Sequence, residues 1–167
     1  MRGLFITATD TGVGKTEVAC ALLRGHRARG LDLVAMKPAQ SGLAEGELSD
    51  AERLRAAGAM DPEDLVCPYR FAPPLAPGVA ARLAGTVVSL ERILESARRL
   101  SSLHSALLVE GAGGLLTPLS ESATCAELAV ALQLPVLVVA RTGLGTVNHT
   151  ALTCEALRTR HLLVHGI

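Results

Sequence analysis

A glycine-containing junction between a strand and a helix constrains this chain more than any other stretch. Residues 3–8 (GLFITA) have the apolar character of a buried strand, and residues 15–29 repeat their apolar side chains with helical spacing. Gly12 and Gly14 lie between these two segments, and Lys15 and Thr16 begin the second. In such a junction, backbone N–H groups and the helix N-terminus face phosphate, the lysine reaches the outer phosphate oxygens, and the hydroxyl ligates Mg²⁺. The sequence therefore predicts a phosphate-binding loop.

This loop departs from the full pattern G-x-x-x-x-G-K-[ST], which requires glycine where the chain has Thr9. What remains is G-x-G-K-T, supported by its position between a strand and a helix. The alternative interpretation is an ordinary glycine-containing turn followed by an incidental surface lysine.

Length and composition narrow the fold class. The 167 residues are enough for one domain with its own core, and 49% of them are hydrophobic although only 2% are aromatic. A core built from Ala, Val and Leu is typical of an α/β protein with buried parallel strands. Four widely spaced cysteines predict buried free thiols rather than a zinc site or disulfides: Cys20, Cys67, Cys125 and Cys154.

Charge and hydropathy exclude two classes of partner. Sixteen basic and sixteen acidic residues cancel, and the scarce aromatic residues offer no platform for stacking bases, so we expect no nucleic-acid partner. No apolar run approaches the roughly 18 residues of a membrane span. We expect a soluble, cytoplasmic protein that does not bind membranes.

Strands and helices alternate along the rest of the chain. Helices are predicted to begin at two capping boxes, Ser49 with Glu52 and Thr124 with Glu127, and to run to about residues 57 and 133. The remaining predicted strands are residues 31–37, 106–110, 134–140 (the most apolar run, expected to be central) and 162–167, and the remaining helices are residues 89–103 and 147–160. This order predicts a doubly wound, mostly parallel sheet with helices on both faces, a three-layer sandwich like that of P-loop NTPases.

Two segments are predicted to lack long regular elements. Residues 39–47 have the composition of a polar loop. Residues 58–88 contain five prolines, and we expect an ordered surface excursion with a short helix near residues 79–83.

Candidate functional residues lie where the predicted strands end, because ligands of doubly wound sheets bind at the carboxyl ends of the strands. Glu110 ends one apolar strand, where phosphate-loop enzymes keep an acidic partner for Mg²⁺, and Asp50 is the best candidate for a further acid. Thr16, Asp50 and Glu110 are thus the predicted metal ligands. The alternatives are a solvated glutamate at position 110 and simple helix-dipole support by Asp50.

A second lysine stands at the end of another strand. Pro38 follows Lys37 and turns the chain off the sheet, which would aim the ammonium group and the Ser41 hydroxyl over the phosphate loop. A lysine in this position would stabilise charge on a transferring phosphoryl group or an anionic nucleophile. The alternative is a lysine at a strand end that extends into solvent.

Six blocks in this order resemble the ATP-dependent dethiobiotin synthetases, a family of variant P-loop NTPases, over essentially the whole chain. The blocks are TDTGVGKT (9–16), KP with SG (37–38 and 41–42), SDA (49–51), PYRF (68–71), VEGAGG with TPL (109–114 and 117–119) and LGTVNH (144–149). The resemblance implies a cyclo-ligase of biotin biosynthesis that uses ATP and Mg²⁺. Such an enzyme closes a cyclic urea on 7,8-diaminopelargonic acid with CO₂, by way of a carbamate and a carbamic-phosphoric anhydride, and yields dethiobiotin, ADP and phosphate.

The resemblance also implies roles for individual residues. Lys15 and Lys37 would hold the carbamate and the γ-phosphate, and Thr11 and Ser41 would hydrogen-bond the reacting end of the substrate. The nucleotide site would comprise Gly12, Val13, Gly14, Lys15, Thr16, Glu17, Asp50, Glu110, Gly111, Ala112 and Gly113.

The last block implies a homodimer in which the neighbouring subunit receives the substrate carboxylate at a helix N-terminus. The residues concerned are Gly145, Thr146, Val147 and Asn148. Free N–H groups at a helix start suit a carboxylate. The alternative is that Asn148 simply caps its helix. The family continues past the position of Ile167 into an adenine-contacting segment, so we expect a single domain of residues 1–167 that lacks this segment.

Two other functions are weighed against the cyclo-ligase. One is a nucleotide-dependent switch of the partitioning or septum-positioning kind, which shares the predicted sheet but typically carries an extra lysine early in the loop, where this chain has Asp10 and Thr11. The other is a domain of a cobyric-type synthetase. The K-P-x-x-S-G block favours the cyclo-ligase over this domain.

Overall fold

The structure is a computed structural model that describes residues 1–43, 46 and 48–167. Its strands, in chain order, are β1 (Gly3–Ala8), β2 (Leu33–Met36), β3 (Ala39–Gln40), β4 (Tyr69–Arg70), β5 (Ala106–Glu110), β6 (Val136–Val139) and β7 (Val164–Gly166). Five of them form a parallel sheet in the order β2-β5-β1-β6-β7, and β3 and β4 form a separate parallel pair. The phosphate loop thus follows the middle strand.

The helices are α1 (Lys15–Arg27), α2 (Asp50–Ala57), α3 (Glu63–Val66), α4 (Pro77–Leu83), α5 (Leu90–Leu103), α6 (Cys125–Leu132) and α7 (Thr146–Arg158). Alternate strand residues enter two apolar clusters: Val34 and Met36 join one, and Ala35 joins the other. Because successive strand side chains point to opposite faces, the sheet is covered on both sides. Helices α1 and α2 contribute to one cluster, and α5, α6 and α7 to the other.

This architecture confirms the predicted doubly wound α/β sandwich. Both capping boxes form, with Ser49 accepting from the Glu52 N–H and Glu127 accepting from the Thr124 N–H. The four cysteines are buried and free, as predicted. Strand β6 is interior, as expected for the most apolar run, although the middle position belongs to β1. No helix within the described residues is long and apolar enough to cross a membrane.

Several predicted boundaries are wrong by a few residues. The strand predicted at residues 31–37 is only Leu33–Met36, because the Lys37 N–H donates to the Val66 carbonyl at 2.8 Å instead of continuing the sheet. The strand predicted at residues 162–167 shortens to Val164–Gly166, and the helix predicted at residues 147–160 is Thr146–Arg158.

The two segments predicted to be irregular are more regular than expected. The predicted polar loop contains β3, which pairs with β4; its residues Ala44, Glu45 and Glu47 lie outside the described residues. The excursion of residues 58–88 contains α3, β4 and α4, and many of its apolar side chains, such as Val66 and Ala80, are fully buried. Prolines are tolerated there because Pro77 opens α4, where its missing N–H has no intrahelical acceptor to lose. The excursion is therefore part of the core and not only of the surface.

The register brings the functional strand ends together. Ile6 pairs with Glu110, Met36 pairs with Val109, and Ala8 pairs with Val139, so β1, β2, β5 and β6 end at one edge of the sheet. This edge carries the phosphate loop, Lys37 and Glu110.

Candidate active site

A cleft of about 470 Å³ opens at this edge of the sheet. It is bounded by the phosphate loop, the segment after β2, the first turn of α2 and the turn after β5. Its lining comprises Thr11, Gly12, Gly14, Lys15, Thr16, Glu17, Lys37, Ala39, Gln40, Ser41, Asp50, Arg53, Glu110, Ala112 and Gly113. Most of the residues predicted from the strand ends and the family blocks therefore share one cavity.

The phosphate loop needs its two glycines for conformational reasons. Gly12 has φ 70° and Gly14, which precedes the first residue of α1, has φ 102°. Both values lie in the left-handed region that side chains disfavour. The first turn of a helix has amide groups without intrahelical acceptors, and Lys15 and Thr16 of that turn line the cleft, as an anion site requires.

Lys15 is buried against the loop that it follows. Its Nζ donates to the Asp10 carbonyl at 3.4 Å. Burial, and then the nearby charge of Lys37, lower the pKa of Lys15. The negative charge of an anion in the cleft would oppose both effects by favouring the ammonium form, which is the arrangement expected of a lysine that binds phosphate.

Lys37 forms the centre of a buried cluster of charges. Its Nζ donates to Glu110 Oε1 at 2.5 Å and to Asp50 Oδ2 at 3.1 Å. Only 4% of Lys37 and none of Glu110 is exposed to solvent. The interpretation of Lys37 as a lysine extending into solvent is therefore wrong, as is that of Glu110 as a solvated glutamate.

Lys37 and Asp50 favour their charged forms in this cluster. Burial disfavours the ammonium group, but Glu110 and Asp50 outweigh it and raise the pKa of Lys37. Burial likewise disfavours the Asp50 carboxylate, yet the charge of Lys37 and its hydrogen bond lower the pKa of Asp50. The buried ammonium group thus has two carboxylate partners, and removing a partner of a buried charge is costly.

The donor set suits a magnesium ion. The Thr16 hydroxyl donates to Glu110 Oε1 at 2.8 Å, so the hydroxyl and the carboxylate lie side by side. The other carboxylate oxygen, Glu110 Oε2, is buried and has no hydrogen-bond partner among the described residues. Such an oxygen is unsatisfied until a cation or a donor reaches it. Hard oxygen ligands in small number, with phosphate and water completing the shell, are what Mg²⁺ prefers.

Two residues of the predicted nucleotide set do not line the cleft. Val13 packs against the cluster beneath α1. Gly111 lies against β1, where an added Cβ would meet Phe5 Cζ at 3.2 Å and the Ile6 carbonyl at 3.3 Å, and its own carbonyl accepts from Lys37 at 3.5 Å. Both support the site from within the fold.

The predicted carboxylate site is absent from the cleft lining of this chain. Residues 145–148 form the N-terminus of α7, with Gly145 at φ 91° before the first helical residue. Gly145, Val147 and Asn148 are exposed. Within one chain this segment does not join Lys37 and the phosphate loop.

The sequence interpretation missed Ala39, Gln40 and Arg53, which also line the cleft. Gln40 Oε1 accepts from the Ala51 N–H at 2.9 Å and so fixes the first turn of α2. A signal existed for Arg53, since it lies three residues after Asp50 and therefore on the same face of the predicted helix. No local signal existed for Gln40, because its position depends on the pairing of β3 with β4.

A strand–loop–helix phosphate site at the edge of a parallel sheet defines the protein as a P-loop nucleotide-binding protein of the α/β class, and residues 2–167 match the family described as AAA domain. The chain is 66% identical over 168 residues to the ATP-dependent dethiobiotin synthetase BioD of Anaeromyxobacter dehalogenans (strain 2CP-C), covering 100% of this chain and 75% of the relative. It belongs to the dethiobiotin synthetase family. The enzyme of the same name from Bacillus cereus (strain G9842) is 46% identical over 169 residues, covering 100% of this chain and 70% of the relative.

Solved structures support the fold. The kinase domain of Escherichia coli tyrosine kinase ETK aligns with a TM-score of 0.56 at 16% identity, covering 99% of this chain and 65% of that chain. A ParA family ATPase from Chlorobium tepidum TLS aligns with a TM-score of 0.55 at 11% identity, covering 99% of this chain and 71% of that chain. At these identities the likeness concerns the fold alone, so it does not favour the partitioning-type switch over the family shown by the curated relatives.

Proposed function

We propose that the chain catalyses the ATP-dependent carboxylation and ring closure of 7,8-diaminopelargonic acid to dethiobiotin, with release of ADP and phosphate. The observation that carries this proposal is the buried pairing of Lys37 with Glu110 and Asp50 beside the phosphate loop. The chain's membership of the dethiobiotin synthetase family supplies the substrate class.

The reaction consists of three steps. One amine of the substrate adds to CO₂, loses a proton and becomes a carbamate. A carbamate oxygen attacks the γ-phosphorus of ATP and ADP leaves, which gives the carbamic-phosphoric anhydride. The second amine then attacks the carbonyl carbon, loses a proton and expels phosphate as the ring closes. None of these steps requires a covalent bond to the protein.

Catalysis in this scheme depends on positioning and on stabilising negative charge. We assign Lys15 to the γ-phosphate and Lys37 to the carbamate and the transferring phosphoryl group. Thr11 and Ser41, which share the cleft with both lysines, would hydrogen-bond the reacting end of the substrate. The high pKa of Lys37 keeps its ammonium group charged for this role.

Magnesium would be held by Thr16, Asp50 and Glu110. When bound it supplies positive charge to the phosphate oxygens during transfer. In the structure, Lys37 supplies the positive charge for the same two carboxylates. Binding of the nucleotide and the ion would therefore turn the Lys37 ammonium group from its acids toward the substrate.

Assembly and location complete the proposal. We place the substrate carboxylate at the exposed N-terminus of α7 from a neighbouring subunit, comprising Gly145, Thr146, Val147 and Asn148, so the working enzyme is a homodimer. We further propose that residues 1–167 act as one domain and that the protein works in the cytoplasm.

The test supplies ATP, Mg²⁺, bicarbonate and the diamino acid and follows the release of ADP. The proposal expects ADP release only when the diamino acid is present. Hydrolysis at the same rate without the diamino acid would contradict it and would favour a nucleotide-dependent switch.

A further inference from the structure

An ion pair crosses the mouth of the cleft. Arg53 Nη2 of α2 bonds to Glu17 Oε1 of α1. Both residues line the cleft, and their side chains are 36% and 66% exposed. The proposed reaction gives neither the pair nor Arg53 a task.

The two partners adjoin two of the proposed magnesium ligands. Glu17 directly follows Thr16, and Arg53 lies three residues after Asp50 on the same face of α2. The ion pair therefore joins the helix that carries one ligand to the helix that carries another.

Other contacts fix the start of α2 in different directions. The Ser49 capping box orders the first turn, and Gln40 holds the Ala51 N–H. Helices α1 and α2 also pack through Leu23 and Leu54, farther from the cleft. Inside the cleft, Lys37 bonds to Asp50 and to Glu110, and Thr16 bonds to Glu110. The Arg53–Glu17 pair adds a side-chain link between α1 and α2 at the exposed rim of the cleft.

We propose that Arg53 is a positioning residue that, by holding Glu17, sets the distance between Asp50 and Thr16 and so the affinity for the metal–nucleotide complex. This inference rests on the proposed function, because that function assigns the metal to these residues. The pair also neutralises Glu17, whose carboxylate would otherwise face the phosphates of a bound nucleotide.

The primary measurement is the binding of Mn²⁺, a spectroscopic substitute for Mg²⁺, by electron paramagnetic resonance titration in the presence of ADP. We expect Arg53→Ala to weaken Mn²⁺ binding about two- to fivefold, the range that ion pairs of this exposure give. Binding of a fluorescent ADP analogue in EDTA should weaken less than Mn²⁺ binding, because the phosphate loop itself is intact. Thermal unfolding of each variant checks that the fold is retained.

Two further variants separate positioning from neutralisation. Arg53→Lys keeps the charge and should recover part of the Mn²⁺ affinity. The double variant Glu17→Gln, Arg53→Gln removes both charges; if the pair positions α2, the double variant stays as weak as Arg53→Ala. Full recovery in the double variant would overturn the positioning role.

Arg55→Ala is the matched control, since it also removes an arginine of α2, one that bonds to the Asp61 carbonyl and is not part of the cleft lining. Wild-type Mn²⁺ affinity in Arg53→Ala, or an equal loss in Arg55→Ala, would overturn the inference. A different result would separate the two proposals. If Arg53→Ala binds Mn²⁺ more weakly than wild type does, but wild type forms no dethiobiotin, the proposed function fails while the positioning role stands.

Discussion

At the scale of single residues, Lys37 meets two demands at once. A buried ammonium group is costly without partners, and two neighbouring carboxylates are costly without a cation. Lys37 is bonded to Glu110 at 2.5 Å and to Asp50 at 3.1 Å. The same charges that stabilise the fold are therefore those assigned to catalysis.

Replacing Lys37 by alanine should abolish turnover while sparing most of the ATP affinity. The phosphate loop and Lys15 remain to bind the nucleotide, but the charge assigned to the carbamate and the phosphoryl group is lost, which should lower kcat by about 10²–10³-fold or more. Steady-state kinetics and titration with a fluorescent ATP analogue measure the two effects. Near-normal turnover combined with a large loss of ATP affinity would show that the assigned role is wrong.

Replacing Glu110 by glutamine should destabilise the protein in metal-free buffer. Lys37 would lose its shorter charge-assisted hydrogen bond and keep the one to Asp50 at 3.1 Å, which should cost about 2 kcal/mol. Chemical denaturation in EDTA measures the change. Glu95→Gln, on an exposed position of α5, is the control and should stay within about 0.5 kcal/mol of wild type. Equal effects of the two substitutions would contradict the structural role of Glu110.

Lys15, Lys37 and Glu110 share one cleft, and the sequence could suggest this because each ends or follows a strand of strong apolar character. It did not predict that Lys37 would be bonded to Glu110, which is 73 residues away. That contact depends on β2 and β5 being neighbours, a fact that no local pattern carries. Gln40 was missed for the same reason.

At the scale of secondary-structure elements, a histidine joins three parts of the fold at the opposite edge of the sheet. His104 caps the C-terminus of α5; its Nδ1 lies 2.7 Å from Asp32 Oδ1 and its Nε2 lies 3.1 Å from Asp61 Oδ1. Asp32 precedes β2, and Asp61 lies between α2 and α3. Because both ring nitrogens face carboxylate oxygens, both must donate, and the ring is protonated in this arrangement. Burial opposes the charge, but the bonds to both carboxylates raise the pKa of His104.

This bridge should make stability depend on pH. With the folded pKa of His104 above its ordinary value of 6.5, its contribution is fully present below pH 6.5 and is lost as pH rises through the folded pKa. The free energy of unfolding of wild type should exceed that of His104→Gln by about 1 kcal/mol at pH 5.5 and by less at pH 8.5.

Urea denaturation at both pH values measures this difference. His165→Gln, at an exposed histidine of β7, is the control and should show no such trend. A difference for His104→Gln that grows with pH would contradict the protonated bridge.

Elements with strong local signals were predicted closely, and the others were not. Both capping boxes and the amphipathic α5 follow from neighbouring residues. Strands β3 and β4 have two residues each and exist only through their mutual pairing and the burial of Tyr69. Because of its prolines, the segment that contains β4 was predicted to be a surface excursion, whereas it contributes to the core.

At the scale of the whole molecule, the proposed dimer explains an apolar surface around the start of α7. Leu144 is fully exposed and Val147 is 80% exposed. Large apolar side chains grouped on a surface are typical of an interface. The cleft provides groups for the nucleotide and the reacting end, while the assigned carboxylate site lies on this other surface.

Replacing Val147 by glutamate should separate the subunits. We expect light scattering to change from twice the chain mass to the chain mass, and the KM for the diamino acid to rise about tenfold or more, since a buried carboxylate contact is worth over 1.4 kcal/mol. Nucleotide binding should persist because the phosphate loop belongs to one chain. Val87→Glu, at an equally exposed valine, is the control. An unchanged mass for Val147→Glu, or identical effects of both substitutions, would contradict the interface.

The sheet order β2-β5-β1-β6-β7 was not predictable from local patterns, whereas the alternation of strands and helices was. Strands that are buried on both faces have continuous apolar sequences. Such sequences predict a parallel sheet, but they do not predict which strands lie side by side. The site follows from that order, since Lys37 and Glu110 meet only where β2 lies beside β5.

The central claim is that this cleft joins CO₂ to a diamine at the expense of ATP. Supplying ¹³C-bicarbonate, ATP, Mg²⁺ and 7,8-diaminopelargonic acid, and analysing the products by mass spectrometry, tests it most directly. We predict dethiobiotin that carries the label in its ring carbonyl, with one ADP formed for each molecule. ADP without labelled dethiobiotin would contradict the claim.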